Sequence, residues 1–252
     1  MPEAKFRFYA ELNDFLPTDR QQAEIDIPFN GHETVKHLLE SLGVPHTEVD
    51  VILVNGASVD FNARLVDGDR VEIYPGDERL TGESYVHLQP VGILEPVFVL
   101  DGHLGKLASY LRLLGFDALY RNDYDDNELA EISNVDERIL LTRDRGLLKR
   151  KQVRQGYCIR AKSPQKQVVE VLKRFDLAER IQPFSRCARC NGCLLPVAKT
   201  DVFDRLEPKT KLYYDDFRIC KYCDQIYWKG SHFRRMESQL MALVELSKKE
   251  NH

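Results

Sequence analysis

Alternating apolar and polar positions in the first 80 residues predict short β-strands arranged around one amphipathic helix. Phe6, Phe8 and Ala10 would share one face of the first strand, because successive side chains point to opposite sides. Asn55-Gly56 is a strong signal for a hairpin turn, and Gly43 suits the left-handed position that ends a helix. The predicted order is β-β-α-β-β, with strands at residues 5–12, 24–27, 51–54 and 70–74 and a helix capped by Thr34.

From residue 97 onward, apolar strands alternate with amphipathic helices, which indicates a parallel sheet with helices on both faces. The strands are predicted at residues 97–100, 118–120, 138–141 and 157–159, and the helices at 104–114, 126–133, 146–151 and 165–175. Residues 79–96 combine Gly and Pro with polar residues, so we expect a linker with at most one short strand. The predicted domains are residues 1–78, a linker at 79–96, a core at 97–183, and a cysteine-bearing module with a terminal helix at 184–252.

Charge is distributed unevenly along the chain. Residues 1–85 contain 7 Lys/Arg and 17 Asp/Glu, whereas residues 139–252 contain 25 Lys/Arg and 13 Asp/Glu. A basic half beside an acidic half is typical of proteins that bind RNA or another polyanion, although a solvated surface is the simpler alternative. Neither a membrane span of about 20 apolar residues nor a signal peptide is visible, so we expect a cytoplasmic protein without membrane contact.

Carboxylates stand at or just beyond the ends of two of the predicted strands. Asp101 comes after the first strand of the core and Asp144 after the third. Functional groups gather at the carboxyl ends of strands in open parallel sheets, so these acids are expected at one edge. Between them in sequence lies a further acidic cluster, from which we select Asp125, Asp126 and Glu128. Carboxylates from separate loops can hold Mg²⁺ or Mn²⁺, which would activate water for phosphodiester hydrolysis.

Each of these acids also has a purely structural alternative. Asp126 could cap the following helix, and Asp144 could cap the helix that begins near Gly146. Asp101 could be a turn residue at its strand end.

Basic residues near Asp144 are the candidates for contacting substrate phosphates, because guanidinium and ammonium groups bind them well. Arg112, on the helix after Asp101, could face the same edge or could be a structural ion-pair partner. The candidate substrate-binding residues are Arg112, Arg143, Arg145, Lys149, Arg150 and Lys151.

Two Cys-x-x-Cys pairs predict one structural zinc ion in the last module. The predicted ligands are Cys187, Cys190, Cys220 and Cys223. Cys193 offers an alternative first pair, but Asn191-Gly192 provides the turn expected after Cys187 and Cys190. Four thiolates leave no open position, so this zinc would be structural. After the second pair, Tyr227 and Trp228 could stack on RNA bases or pack within the cysteine-bearing module. His232 is a further candidate at the sheet edge where the acids are expected.

Several motifs of the core resemble a known family. Asp101 is followed by Leu-Gly-Lys-Leu at 104–107, Tyr-Leu-Arg at 110–112, Leu-Gly-Phe-Asp at 114–117 and Leu-Thr-Arg-Asp at 141–144. This pattern resembles the PIN-like RNase domain named after the C-terminus of the Mut-seven exonuclease. The resemblance implies a PIN-like core followed by a zinc ribbon and, in a subset of the family, preceded by a ubiquitin-like domain. It implies metal-binding acids at Asp101, at one of Asp125, Asp126 or Glu128, and at Asp144.

The first segment has a resemblance of its own. Val54-Asn55-Gly56 and the stretch 65–71 (LVDGDRV) resemble the ubiquitin-like sulfur carriers of the ThiS and MoaD type. Those carriers act through a free C-terminal Gly-Gly, whereas Pro75-Gly76 is followed here by Asp77. The resemblance therefore implies the β-grasp fold without the sulfur-carrier chemistry.

The sequence thus predicts an α/β protein in which a β-grasp domain precedes a PIN-like parallel sheet and a zinc ribbon follows it. The predicted function is that of a metal-dependent endoribonuclease with a Mg or Mn ion at the acids. PIN domains often carry a fourth acid soon after the third, and residues 145–155 contain none. A non-catalytic RNA-binding or adaptor protein is therefore the alternative, with the ubiquitin-like domain as a contact for a protein partner.

Overall fold

The structure is a computed structural model that describes residues 1–76, 85–89 and 95–230, together with Arg234, Ser238, Met241, Ala242 and Glu245. These last five residues are helical, and the rest of the predicted terminal helix lies outside the described residues, as do His232 and most of the linker. Within the described residues, no helix is both long and apolar enough to cross a membrane.

Twelve β-strands are described, each three to six residues long: β1 (Glu3–Phe8), β2 (Ile25–Pro28), β3 (Val49–Val54), β4 (Ala57–Val59), β5 (Arg70–Pro75), β6 (Val97–Leu100), β7 (Asp117–Tyr120), β8 (Ile139–Thr142), β9 (Gly156–Cys158), β10 (Leu194–Val197), β11 (Phe217–Cys220) and β12 (Ile226–Trp228). The described α-helices are α1 (Val35–Ser41), α2 (Gly105–Leu113), α3 (Asp126–Val135), α4 (Arg145–Leu148), α5 (Pro164–Arg174), α6 (Lys199–Val202) and α7 (Pro208–Tyr213). Short 3-10 helices lie at Ala10–Phe15, Thr18–Arg20, His46–Glu48, Gly102–Leu104, Ala178–Arg180 and Phe203–Arg205.

The first 76 residues form a five-stranded β-grasp sheet in the order β2-β1-β5-β3-β4. The central pair β1 and β5 is parallel, and the other pairs are antiparallel. Helix α1 begins where predicted, because the Thr34 side chain accepts a hydrogen bond from the His37 amide. Phe6, Phe8, Leu39 and other apolar side chains are buried, so the domain has a core of its own.

The first strand differs from the prediction of residues 5–12. It begins at Glu3 and ends at Phe8, and Ala10 is exposed with φ at +46°. A left-handed residue cannot continue a strand, so the chain enters the 3-10 helix Ala10–Phe15 instead. The turn prediction is confirmed: Asn55 and Gly56 both have positive φ, and they join β3 to β4, an additional short strand.

Part of the predicted linker is attached to the β-grasp domain. Within the described stretch 85–89 there is no strand, but the Leu88 amide donates to the Asp50 carbonyl at 2.8 Å. The His87 ring lies 2.7 Å from the Asp50 carboxylate, and the Gln89 side chain donates to the Val49 carbonyl at 2.9 Å. These contacts hold the stretch beside β3.

The chain divides into two compact units that interleave in sequence. The first unit contains residues 1–95 and 126–158, and the second contains residues 96–125 and 159–252. The first unit therefore joins the β-grasp domain with helices α3 and α4 and with the parallel pair β8 and β9. The second contains the parallel pair β6 and β7, helices α2 and α5, and the cysteine-bearing ribbon. Both pairs are parallel, as the predicted α/β fold class requires.

The ribbon is a small antiparallel sheet in the order β10-β11-β12. Val202, Leu206, Phe217 and Ile226 form its apolar core, and Trp228 packs against that cluster. Because this core is small, the cysteine cluster described below supplies much of what holds the ribbon together.

Candidate functional site

Four cysteines converge in the ribbon. The ligand atoms of Cys187, Cys190, Cys220 and Cys223 all lie within 4.8 Å of one another, and among the described residues this is the group suited to hold a metal ion. The Sγ atoms of Cys187 and Cys223 are 3.6 Å apart, and those of Cys190 and Cys220 are 3.3 Å apart. Thiolates bound tetrahedrally to zinc at 2.3 Å would be about 3.8 Å apart, so small shifts suffice to accommodate the ion.

The two knuckles have the same backbone geometry. In the first, the Cys187 amide donates to the Gly192 carbonyl and Asn191 has φ at +69°. In the second, the Cys220 amide donates to the Gln225 carbonyl and Asp224 has φ at +54°. Each knuckle thus turns back on itself directly after its second cysteine, which aims both thiols of the pair at one point. Four cysteines so placed fit zinc and leave no position open for substrate.

Cys193 is exposed and lies outside the four-cysteine cluster, so the register with Cys187 is the one that the fold adopts. The Tyr227 hydroxyl lies 3.1 Å from the Cys187 Sγ. Burial by itself would raise the pKa of the Cys187 thiol, but hydrogen bonds from Tyr227 and from backbone amides lower it to about 7. Tyr227 therefore stabilises a thiolate at the metal position.

Arg112 joins the first knuckle to the core, and the prediction that it contacts substrate is wrong. The residue is only 3% exposed, and its Nε donates to the Ala118 carbonyl at 2.8 Å. Its Nη1 donates to the carbonyls of Ala188 and Arg189 at 3.2 and 3.1 Å. The hydrogen-bond partners are backbone carbonyls, and the nearby charges of Cys187, Cys190 and Asp117 favour the charged guanidinium, so the structural alternative describes Arg112 better. The guanidinium is used within the fold and cannot reach a phosphate.

Asn191 strengthens the same junction. Its side-chain oxygen accepts from the Ala118 amide at 3.1 Å, and its side-chain nitrogen donates to the Asp117 carboxylate at 2.8 Å. Arg186 forms an ion pair with the other Asp117 oxygen at 3.2 Å. Knuckle and β7 are therefore connected by several polar contacts that no sequence pattern indicates.

Asp101 leaves β6 where predicted and also serves as a cap. Its Oδ1 accepts from the His103 amide at 3.3 Å, which starts the 3-10 helix Gly102–Leu104, and its side chain is 18% exposed. The Tyr120 hydroxyl donates to the Gly102 carbonyl at 2.9 Å. The loop after β7, which leads to Asp125, therefore begins beside the loop of Asp101.

Asp144 leaves β8 in the same manner. Its Oδ1 accepts from the amides of Gly146 and Leu147 at 2.7 and 3.4 Å, so it is the N-cap of α4. The Asp144 amide in turn donates to the Thr142 hydroxyl at 2.9 Å. The capping alternative is thus correct; the cap uses Oδ1, and the residue is exposed.

The remaining candidate acids lie around the start of α3. Asp125, Asp126 and Glu128 are all exposed, and Asp126 is the first helical residue rather than the cap. Arg150 donates to the Asp126 carboxylate at 3.3 Å and to the Asn127 side chain at 2.6 Å. The acids are divided between the units, with Asp101 and Asp125 in the second and the others in the first. Their convergence on one ion stays a prediction.

Comparison with protein families shows where the chain belongs. The model described as Mut7-C RNAse domain matches residues 96–240, which is more than half of the chain. The chain belongs to the Mut7-C RNAse domain family. A second model, described as Mut7-C ubiquitin, matches residues 1–81. Both resemblances inferred from the sequence motifs are thereby confirmed, and the family name indicates nuclease activity in general.

Solved structures resemble part of the chain. They include the molybdopterin converting factor, subunit 1, of Pyrococcus furiosus, with 25% identity and a TM-score of 0.24. SAMP1 of Haloferax volcanii matches with 15% identity and a TM-score of 0.25. Each match covers 30% of this chain and 98% or 97% of the other chain. Comparison with curated proteins yields no match.

The basic residues beside Asp144 in the Mut7-C domain fall into two groups. Arg145, Lys149 and Arg150 have partners in the first unit, such as the Glu40 carbonyl, to which the Lys149 Nζ donates at 2.8 Å. Arg143 and Lys151 are exposed, and in the described part of the chain neither forms a hydrogen bond or an ion pair through its side chain. Arg154 belongs with them and was missed as a candidate. The basic composition of residues 139–186 was the signal for it.

The aromatic residues after the second knuckle pack the ribbon. Trp228 lies 6.4 Å from the Phe217 ring, and Tyr227 contacts both Cys187 and the Phe184 ring. Tyr227 and Trp228 therefore pack within the ribbon, which was the alternative to base stacking. His232 lies outside the described residues.

Proposed function

We propose that this member of the Mut7-C family is a metal-dependent endoribonuclease. Asp101, Asp144 and one acid among Asp125, Asp126 and Glu128 would hold a Mg²⁺ or Mn²⁺ ion. The observation that carries the proposal is that Asp101 and Asp144 stand just beyond the carboxyl ends of two parallel strands, β6 and β8, in a domain of an RNase family. The proposal includes a cytoplasmic location, because free thiols persist in a reducing compartment.

The donor chemistry of these residues fits the proposed ion. Mg²⁺ and Mn²⁺ prefer carboxylate oxygens from a few residues, with water and substrate in the other positions. The amides of Gly146 and Leu147 donate to the Asp144 carboxylate and fix its orientation. Such an ion, once bound, lowers the pKa of a coordinated water and neutralises charge on the phosphate.

The protein's own residues would bind and place the RNA. Arg143, Lys151 and Arg154 are exposed cations close in sequence to Asp144, and each can bind a phosphate. They contribute attraction for the backbone regardless of base sequence. The acids repel the same phosphates when no cation neutralises them, so metal and substrate binding should reinforce each other.

The test is a cleavage assay on single-stranded and structured RNAs with Mn²⁺, Mg²⁺ or EDTA. We expect Asp144→Asn and Asp101→Asn to abolish cleavage while RNA affinity stays equal or rises slightly, because each removes one negative charge. The matched control is Asp204→Asn, an exposed acid of the ribbon, which should cleave normally. EDTA-insensitive cleavage that persists in both variants would indicate a contaminating RNase.

A non-catalytic RNA-binding or adaptor protein is the second candidate. The observation in its favour is that no acid occurs after Asp144 until Glu170. Glu170 accepts hydrogen bonds from the amides of Arg160 and Ala161 at 2.8 and 2.9 Å, so its carboxylate serves the local backbone. Wild-type protein that binds RNA but cleaves none of the pool with either metal would support this candidate.

A further inference from the structure

Helix α4 follows Asp144 directly, but it is too short to be stable without tertiary contacts. It comprises Arg145–Leu148, a single turn between its caps Asp144 and Lys149. Isolated helices shorter than about 12 residues are marginal in water, because nucleation fixes several residues for one hydrogen bond. Leu147 and Leu148 are buried and fix one side of the turn. Its exposed side, which carries Asp144, needs other support.

The β-grasp domain supplies that support at the start of α4. The Arg145 guanidinium donates to the Phe15 carbonyl at 2.9 Å and to the Asp14 carbonyl at 3.1 Å. It also lies 4.9 Å from the centre of the Phe15 ring, within the range of a cation-π contact. These carbonyls end the 3-10 helix Ala10–Phe15, where backbone oxygens lack helical donors and carry partial negative charge.

The other end of α4 is bound in the same way. The Lys149 Nζ donates to the Glu40 carbonyl at 2.8 Å, in the last turn of α1. Both basic side chains therefore cap the carboxyl end of a β-grasp helix. Two neighbouring contacts continue the junction: His46 Nε2 donates to the Val153 carbonyl at 3.0 Å, and the Cys158 amide donates to the Glu48 carboxylate at 2.5 Å.

We propose that the β-grasp domain is a positioning element of the nuclease site: through Arg145 and Lys149 it holds the one-turn helix that presents Asp144. The contacts of Arg145 and Lys149 are independent of the proposed function, but their importance for catalysis rests on it. It gives the ubiquitin-like domain a role inside the chain, in which Arg145 and Lys149 are positioning residues rather than RNA contacts. A separate protein partner for that domain stays a prediction.

The experiment uses the full-length chain and two measurements that do not depend on cleavage. Hydrogen exchange of the Gly146 and Leu147 amides reports on the turn itself, because both donate to Asp144. Mn²⁺ affinity, measured by electron paramagnetic resonance, reports on Asp144 as a metal ligand. Arg145 is exposed, so Arg145→Ala empties no core position and should fold.

We expect Arg145→Ala to speed exchange of both amides about tenfold or more, the effect of losing charge-assisted hydrogen bonds. Arg145→Ala should also weaken Mn²⁺ binding, because Asp144 is then held less firmly. Arg145→Lys should fall between wild type and Arg145→Ala, because lysine keeps the charge but loses the planar fork. The matched control, Lys151→Ala, removes a charge two residues beyond Lys149 without touching the β-grasp domain and should leave exchange unchanged.

Unchanged exchange in Arg145→Ala would overturn the inference, whatever the cleavage assay shows. Faster exchange without any Mn²⁺ binding by the wild type would support the positioning of α4 and would refute the proposed metal site. The two ideas therefore fail separately. If Lys151→Ala speeds exchange as much as Arg145→Ala, the effect is one of charge and the positioning role is wrong.

Discussion

Replacing Arg112 by methionine should release the zinc ribbon from the core. Methionine keeps the apolar length of the side chain and its helix propensity, so α2 should persist. The guanidinium is lost, and with it the hydrogen bonds to the carbonyls of Ala118, Ala188 and Arg189. The variant thus tests one junction without emptying the core.

The expected loss follows from those three contacts. The bond to Ala118 is short and buried, and hydrogen bonds to charged groups contribute roughly 1.5–3 kcal/mol each. The two bonds from Nη1 are longer and half-buried, so we assign them about 1–2 kcal/mol together. Burial lowers the pKa of Arg112, which means that holding the cation there has a cost that the variant avoids. We therefore expect a net loss of about 2–4 kcal/mol in the free energy of unfolding.

Trp228 is the single tryptophan of the chain and lies in β12, so its fluorescence follows the ribbon directly. In urea titrations of the zinc-loaded protein, the Trp228 transition should move to lower urea in Arg112→Met. The matched control is Arg189→Met, since Arg189 is an exposed arginine of the same knuckle and should change stability by less than about 0.5 kcal/mol. A Trp228 transition that coincides with wild type would refute the proposed junction.

Two further predictions concern the metal and the RNA surface. Cys220→Ser should destabilise the ribbon and lower its zinc content, measured by mass spectrometry, well below one atom per chain. Cys193→Ser should keep the full zinc content, because Cys193 lies outside the cluster. The opposite order would refute the ligand set. The second prediction concerns the exposed cations Arg143, Lys151 and Arg154, replaced together by alanine. RNA binding should weaken, and the slope of log affinity against log salt concentration should fall by up to about 2, because each phosphate contact contributes roughly 0.7. An unchanged slope would mean that the RNA binds elsewhere.

Features encoded within a few residues could be predicted from the sequence. Thr34 caps α1, Asn55-Gly56 forms its turn, and the two Cys-x-x-Cys pairs converge. For the cap and the turn, the signal and the structure it produces lie within a few residues, so distant contacts rarely override them. For the cysteines, each pair is a local signal, and the shared metal chemistry of four thiols predicts that the two pairs meet. The strand-end positions of Asp101 and Asp144 were predictable for a similar reason, because apolar runs mark their strands.

The roles of the basic residues could not be predicted in this way. Arg145 and Lys149 stand beside Asp144 in sequence, yet their partners are backbone carbonyls more than 100 residues earlier. Backbone oxygens carry no residue identity, so no pattern indicates them. For Arg112 a signal did exist: it follows Ala108 and Leu111 on the stripe of α2 that is buried. A cation on an apolar stripe indicates an internal contact before it indicates a ligand.

The first cysteine knuckle also covers the outer edge of a β-strand. Strand β7 pairs with β6 on one side and is the first strand in its sheet, so its other side is an edge. The Asn191 side chain occupies that edge by accepting from the Ala118 amide and contacting Asp117. Edge strands with free amides recruit further strands and promote aggregation. Cysteine variants that loosen the knuckle would uncover this edge, so we expect them to aggregate more readily than the wild type.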